Sequence, residues 1–155
     1  MPDGKTHEII NVAVLLIVLS VLSYIIWEEN SIATKYIDTY LILVFSMSYL
    51  FATFFLSPDL DINSTPYKRW KMLRILWWPY KVIFKHRGFS HHPIIGPLSI
   101  ILNLAVIVAA LLLLAGVEPR SIPSSLIIAT TAGMVLSIEV HIVSDSLVSK
   151  MKSMF

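Results

Sequence analysis

The sequence predicts an all-α integral membrane protein, with four transmembrane helices and one amphipathic helix at the membrane surface. Of its 155 residues, 56% are hydrophobic and only 14% are charged, and the mean hydropathy is +0.76. A soluble domain carries about a quarter charged residues, so this composition is typical of a membrane protein. The chain has no cysteine, which excludes disulfides and leaves histidine and oxygen ligands for any metal.

Four apolar stretches are long enough to cross the hydrocarbon core of a bilayer, which takes roughly 17–25 helical residues. They cover residues 9–27, 40–56, 94–117 and 122–143. Each is expected to be helical because lipid offers the backbone no hydrogen-bond partner. The first stretch is too long for the apolar region of a cleavable signal peptide. We therefore expect it to belong to a single membrane domain of residues 1–155.

The basic residues predict how the chain is oriented. Cytoplasmic loops of membrane proteins carry an excess of lysine and arginine. Here the cations concentrate between the second and third spans, at Lys68, Arg69, Lys71, Arg74, Lys81, Lys85 and Arg87. This loop and both termini are therefore expected on the cytoplasmic side of the cell (inner) membrane.

Within this loop, residues 68–85 are predicted to form one amphipathic helix. Large apolar side chains recur every three or four positions, while the cations face elsewhere. The apolar positions are Trp70, Leu73, Trp77, Tyr80 and Phe84. This pattern is typical of a helix lying among lipid headgroups, so membrane lipids are the expected partner. A basic, aromatic stretch also resembles a nucleic-acid binder, but lipid is favoured in a four-span protein. Pro79 is expected to bend or break this helix.

All five histidines and several aspartates fall at the predicted cytoplasmic ends of the spans. The set is His7, Asp59, Asp61, His86, His91, His92, His141 and Asp145. Folding through the bilayer brings these distant positions to one face, which predicts a metal site at the membrane surface. All except His92 are predicted metal ligands. They suit one or two divalent ions, with zinc preferred and manganese, iron or cobalt as alternatives.

Local spacing supports part of this set. His141 and Asp145 are four residues apart and share one helix face. Gly88 permits a turn that could direct His86 and His91 toward each other. On its own, however, the Asp59-Leu60-Asp61 motif is more often a solvated turn.

Three residues are candidate catalytic groups. Arg87 could orient a carboxylate or hold a phosphate, and Asp61 could serve as a general base. His92 could be a further ligand, an acid/base group or a surface histidine. Glu139 is expected to point away from the bundle, because it lies about 200° around the helix from His141.

Five motifs resemble a family of small, uncharacterised, predicted metal-binding membrane proteins of bacteria and archaea. They are MPDGKTHE, SPDLDINSTPYKRW, WWPY, HRGFSHHPIIG and HIVSD. That family is similar in turn to the YdjM-like membrane-bound metal-dependent hydrolases. The resemblance implies the same seven metal ligands, from His7 to Asp145. Where the family often has glycine after the second histidine of its HRxxSH motif, this chain has His92.

The sequence is compatible with three functions. A metal-dependent hydrolase would cleave a phosphoester of a lipid or lipid-linked substrate at the cytoplasmic face. A metal-binding or metal-handling protein would hold the ion without catalysis. The middles of the predicted spans lack charge, which argues against a metal channel. The third function is a structural membrane adaptor. The sequence leaves the oligomeric state open.

Overall fold

The computed structural model is all-helical and describes residues 4–27, 38–84, 89–117 and 122–152. Its long helices are α1 (Gly4–Trp27), α2 (Thr39–Phe55), α5 (Ile95–Leu114) and α6 (Ser124–Lys152). Between α2 and α5 lie two short helices, α3 (Thr65–Arg69) and α4 (Trp78–Ile83). Three 3₁₀ turns cover Pro58–Asp61, Lys71–Trp77 and Phe89–His91. The predicted all-α class is confirmed.

Three of the described helices, α1, α5 and α6, are long and apolar enough to cross a membrane. The helix α2 is also apolar but has 17 residues, at the lower end of the length that a bilayer requires. It begins where the Asp38 side chain accepts the backbone N–H of Leu41 at 2.7 Å, a typical N-cap. The second predicted span, residues 40–56, is thus a helix, and its crossing of the membrane stays a prediction.

The helix α6 lies at the centre of the fold, with its most extensive contacts to α2 and further contacts to α1 and α5. A methyl group at Gly133 would overlap Ser48 Oγ and the Phe45 carbonyl oxygen. Glycine therefore lets the backbones of α2 and α6 approach closely, as small residues do between membrane helices. Thr53 Oγ1 and Ser137 Oγ, 2.9 Å apart, link the same two helices through a buried hydrogen bond.

The segment predicted as one amphipathic helix is divided into three short elements instead. The break follows α3, where Lys71 has a left-handed φ of 47°. Pro79 does not break a helix, because it lies in the first turn of α4, where its missing N–H is tolerated. Trp77 and Tyr80 are buried in the core of the helix bundle. These two aromatic side chains are therefore covered by protein, where the pattern predicted lipid.

Two hydrogen bonds explain why this segment folds back onto α2. Arg69 Nη1 donates to the carbonyl oxygen of Phe54 at 3.0 Å, and Trp70 Nε1 donates to that of Phe55 at 2.9 Å. The last carbonyl groups of a helix lack partners within it, and these side chains supply them. Arg69 Nη2 also pairs with Glu8 Oε1 of α1 at 2.7 Å. The segment is thereby fixed to the ends of both helices.

Candidate metal centre

Four of the predicted ligands converge in the structure: Asp59, His91, His141 and Asp145. One ligand atom from each lies within 4.8 Å of the others. His91 Nε2 is 3.4 Å from Asp59 Oδ1 and 3.3 Å from Asp145 Oδ2. His141 Nε2 is 3.5 Å from Asp59 Oδ2 and 3.7 Å from Asp145 Oδ2. These four residues are called the four-residue cluster below, and together they offer the mixed donors that divalent transition metals take.

Asp59 reaches the cluster because α2 ends just before it. Leu56 is extended and Pro58 opens a 3₁₀ turn, since proline is tolerated in a first turn but cannot donate a hydrogen bond. Ser57 Oγ accepts the backbone N–H of Asp59 at 3.2 Å. This contact fixes the turn that directs the carboxylate toward α6.

His91 is positioned by a close contact between its turn and α5. A methyl group at Gly96 would overlap the carbonyl oxygen of Ser90, so glycine allows the turn Phe89–His91 to lie against the helix. His141 and Asp145 complete the cluster from consecutive turns of α6, as their spacing predicts. The ligands thus come from three separate elements of the fold.

The carboxylates of the cluster are short of hydrogen-bond donors. The Asp59 side chain is 20% exposed and that of Asp145 is 9% exposed. Among the described residues, Asp59 Oδ1 and both oxygens of Asp145 accept no well-formed hydrogen bond. Burying such oxygens unsatisfied is costly, and a cation between them would satisfy them together. The residues present therefore fit a divalent metal ion.

The charges within the cluster also compensate one another. Burial by itself would raise the pKa of Asp59, but His141 and His91 hold that pKa well below its usual range. Burial would lower the pKa of His91, but the carboxylates of Asp145 and Asp59 raise it to about 9. At neutral pH the His91 ring thus carries a proton between two carboxylates, and metal binding would release that proton.

His7 lies directly beside the cluster. Its ring stacks on that of His141 with centroids 4.0 Å apart, and its Nε2 is 3.1 Å from Asp145 Oδ1. The side chain is buried, although it sits in the first turns of α1. The structure therefore brings five of the predicted ligands together, with His7 on the far side of Asp145.

Asp61 acts on the cluster through a residue that the sequence did not single out. Ser90 Oγ donates to Asp61 Oδ2 at 3.0 Å and lies 3.2 Å from His91 Nδ1. Asp61 itself is not among the four converging residues. The one signal for Ser90 was its place next to His91 in the FSHH motif, and serine is too common for that to be decisive.

The remaining predicted residues lie elsewhere. His92 is exposed, and its Nδ1 accepts the backbone N–H groups of Ile94 and Ile95 at 3.2 and 3.4 Å, near the start of α5. Glu139 lines a groove on the outer surface of α6, as its position on the helix predicts. His86 and Arg87 lie outside the described residues.

We expect Ser90→Ala to weaken metal binding by about 10- to 100-fold, the usual effect of losing a partner of a metal-ligating histidine. Its hydroxyl links the His91 ring to the buried carboxylate of Asp61. Competition titration against a chromogenic chelator measures the affinity. Ser99→Ala is the matched control, because Ser99 is also buried but donates to a carbonyl oxygen in its own helix. Equal affinities for the two variants would contradict the role of Ser90.

Known proteins agree with a metal site. A family described as "Uncharacterized metal-binding protein (DUF2227)" matches residues 2–155. A relative from Aquifex aeolicus (strain VF5), described as an uncharacterised protein, is 53% identical over 55 residues. That match covers 35% of this chain and 39% of the relative, so the chain matches about two-fifths of the relative's length. No solved structure matches the chain significantly. Because the family match extends over nearly the whole sequence, the protein belongs to this family of uncharacterised metal-binding proteins.

Proposed function

We propose that the protein holds a divalent transition metal at the four-residue cluster. We further propose that it hydrolyses a phosphoester of a lipid or lipid-linked substrate at the cytoplasmic face of the cell membrane. The observation that supports this proposal most is the convergence of two histidines and two carboxylates. Among the described residues, Asp59 Oδ1 and both oxygens of Asp145 accept no well-formed hydrogen bond. Membership of a metal-binding family supports the metal. The motif resemblance to YdjM-like metal-dependent hydrolases supports the reaction.

Different residues of the site would hold the metal ion, orient its ligands and bind the substrate. Asp59, His91, His141 and Asp145 hold the ion, for which zinc suits the donors best and manganese, iron or cobalt also fit. When bound, such an ion polarises a phosphoryl oxygen and makes water a better nucleophile. Ser90 and Asp61 orient His91. Arg87 as the headgroup ligand, His92 as a proton-transfer group and Asp61 as a general base stay predictions.

Two cavities beside the cluster support an amphiphilic substrate. One is a cleft of about 400 Å³ that has His91 and Asp145 at one side and Ile142 and Val143 on its wall. The other holds about 200 Å³ and is lined by polar residues that include His7 and Asp59. The first could take a headgroup next to its apolar chain, and the second could admit water. A soluble phosphoester has no apolar chain that could pack against this wall.

The proposed location follows from the helices and the charges. Together with α1, α5 and α6, the helix α2 would form a fourth span, and the basic loop would put both termini in the cytoplasm. Exposed Lys71 and Arg74 in the loop stand beside exposed Met72, Ile75 and Trp78. This mixture is suited to the headgroup region. The side chains that face lipid would then be Met72, Ile75 and Trp78. The sequence pattern had instead indicated Trp77 and Tyr80, which are buried in protein.

The hydrolase proposal is tested with the full chain in mixed micelles, loaded in turn with zinc, manganese, iron or cobalt. Lipid phosphomonoesters and phosphodiesters are offered beside a water-soluble nitrophenyl phosphodiester. We expect turnover of a lipid substrate that rises with metal content and is lost in His141→Ala. Glu139→Gln, which changes α6 outside the cluster, should keep it. Failure of the metal-replete protein on every substrate would overturn the hydrolase.

One observation favours a second candidate function, metal binding without catalysis. Structural zinc sites are filled by four protein ligands, whereas catalytic sites keep one position for water. The four-residue cluster supplies four ligands and would by itself close a tetrahedral site. This function predicts a metal-replete protein that is inert in the assay above.

A further inference from the structure

We propose that the cleft of about 400 Å³ beside the four-residue cluster binds a lipid phosphodiester whose headgroup carries hydroxyl groups, and that Ser146 and Ser149 hold that headgroup. The inference rests on the proposed function and extends it from lipid phosphoesters in general to one class of them. Neither serine belongs to the four-residue cluster. Both are exposed on α6 and line the cleft, so their hydroxyl groups are within reach of a ligand there.

The lining of the cleft changes character along α6. Four of the lining residues are spaced at i, i+3, i+4 and i+7 and so share one helix face: Ile142, Asp145, Ser146 and Ser149. Helical residues rise by about 1.5 Å each, which puts Asp145 about 4.5 Å beyond Ile142 and Ser149 about 6 Å beyond Asp145. Toward the end of α6, a ligand would therefore meet an apolar side chain, then a carboxylate of the cluster and then two hydroxyl groups.

The parts of a lipid phosphodiester follow in the same order. Its apolar chain would lie against Ile142 and Val143, and Val143 is 52% exposed, so it can contact the surrounding lipid as well. Its phosphate would lie where His91 and Asp145 border the cleft. Its headgroup would then extend toward Ser149. A phosphomonoester ends at the phosphate and would leave both serines without a contact, so the lining favours a diester.

The position of the phosphate follows from the cluster residues that line the cleft. His91 and Asp145 line it, whereas Asp59 and His141 line the smaller polar cavity. The Asp145 side chain is 9% exposed, and neither of its oxygens accepts a well-formed hydrogen bond from the described residues. The same residues would hold the metal ion of the proposed function, so a phosphate oxygen entering the cleft would meet that ion there.

The two serine hydroxyl groups are suited to a headgroup that bears hydroxyl groups itself. Each serine donates one hydrogen bond and can accept two, and glycerol, inositol and sugars offer donors and acceptors in return. Quaternary ammonium groups are instead recognised by aromatic cages, and the described lining of the cleft contains no phenylalanine, tyrosine or tryptophan. Lys150 directly follows Ser149 and is exposed, so its positive charge further disfavours a cationic headgroup. The expected headgroup is therefore a polyol.

The test is the affinity of the zinc-equilibrated full chain for lipids in detergent micelles, measured by native mass spectrometry. The probes are analogues of phosphatidylglycerol, phosphatidylcholine and phosphatidate in which CH₂ groups replace the ester oxygens on phosphorus, so that none is hydrolysed. We expect the glycerol lipid to bind about 10-fold more tightly than the choline lipid, as two neutral hydrogen bonds would give. Ser146→Ala and Ser149→Ala should each lower its affinity about 2- to 10-fold and leave the affinities for the other two lipids unchanged. Ser125→Ala is the control, because this exposed serine lines an apolar cavity near the start of the same helix.

The outcomes separate this inference from the proposed hydrolase, because lipid affinity is measured without turnover. Equal affinities of the wild type for the glycerol and choline lipids overturn the polyol headgroup, as does a preference that survives in both serine variants. An equal loss of affinity for phosphatidate would mean that the serines contact the phosphate, which overturns their role at the headgroup. The expected preference without hydrolysis would overturn the hydrolase and keep the lipid site. Hydrolysis without the preference would do the reverse.

Discussion

Asp145→Asn is expected to abolish metal binding at working concentrations. Its carboxylate lies 3.1–3.7 Å from the ring nitrogens of His7, His91 and His141, so one substitution removes the negative charge that all three share. Loss of an outer partner of a ligand costs about 10- to 100-fold in affinity, and loss of a direct, charged ligand should cost more than about 100-fold. Asparagine has nearly the same shape as aspartate, so a loss of affinity would come from the missing charge and not from altered packing.

The measurement is a chelator competition titration on the purified protein, with metal content by mass spectrometry as a second readout. Glu139→Gln is the matched control, because it makes the same chemical change on the same helix in a surface groove away from the cluster. We expect the control to bind like the wild type. Equal affinities for the Asp145 and Glu139 variants would show that the ion binds outside the four-residue cluster.

Gly133→Ala is expected to destabilise the fold by at least about 3 kcal/mol, the upper end of the range for overpacking. The added methyl group would overlap the Phe45 carbonyl oxygen and Ser48 Oγ, and would lie 3.1 Å from the Tyr49 nitrogen. Two of these three atoms belong to backbone, which cannot rotate away. Relief therefore requires α2 and α6 to separate. That movement would also carry Asp59 away from His141, so we expect weaker metal binding in the same variant.

Unfolding by sodium dodecyl sulfate in mixed micelles measures the free-energy change. Gly4→Ala is the matched control, because a methyl group there would meet Thr65 at an ordinary 3.7 Å. Its expected effect is within about 1 kcal/mol, the difference in helix propensity between the two residues. A Gly133 variant as stable as this control would mean that α2 and α6 are less closely packed than described.

All four members of the four-residue cluster were candidate ligands in the sequence, because of where the polar residues stand along the chain. Histidines and aspartates are costly within lipid, so in an apolar chain they are expected at the ends of the apolar stretches. The predicted topology alone placed His7, Asp59, His91, His141 and Asp145 on one face. The sequence could not show which of Asp59 and Asp61 joins the four-residue cluster, because the two lie two residues apart in one motif. That distinction depends on the turn after Pro58, which directs Asp59 to the histidines and Asp61 to Ser90.

The loop before α5 shows the limit of periodicity. The apolar spacing identified one side of the segment correctly, because Trp77 and Tyr80 are indeed covered. A repeat of three to four residues does not say whether lipid or protein covers that side. It also does not reveal that Arg69 and Trp70 bind the carbonyl groups at the end of α2. Those bonds hold α3 in place, and the chain then changes direction at Lys71.

The origin of the ligands along the chain sets the order of events during synthesis. His7 leaves the ribosome first, whereas His141 and Asp145 follow only with the final described helix. Until α6 has been synthesised, an arriving ion would meet Asp59 and His91 without the other two members of the four-residue cluster. An ion bound at this cluster would therefore be captured late. The bound ion would then tie α6 to the turns after α2 and before α5, so the metal content of the protein would indicate that these elements have assembled.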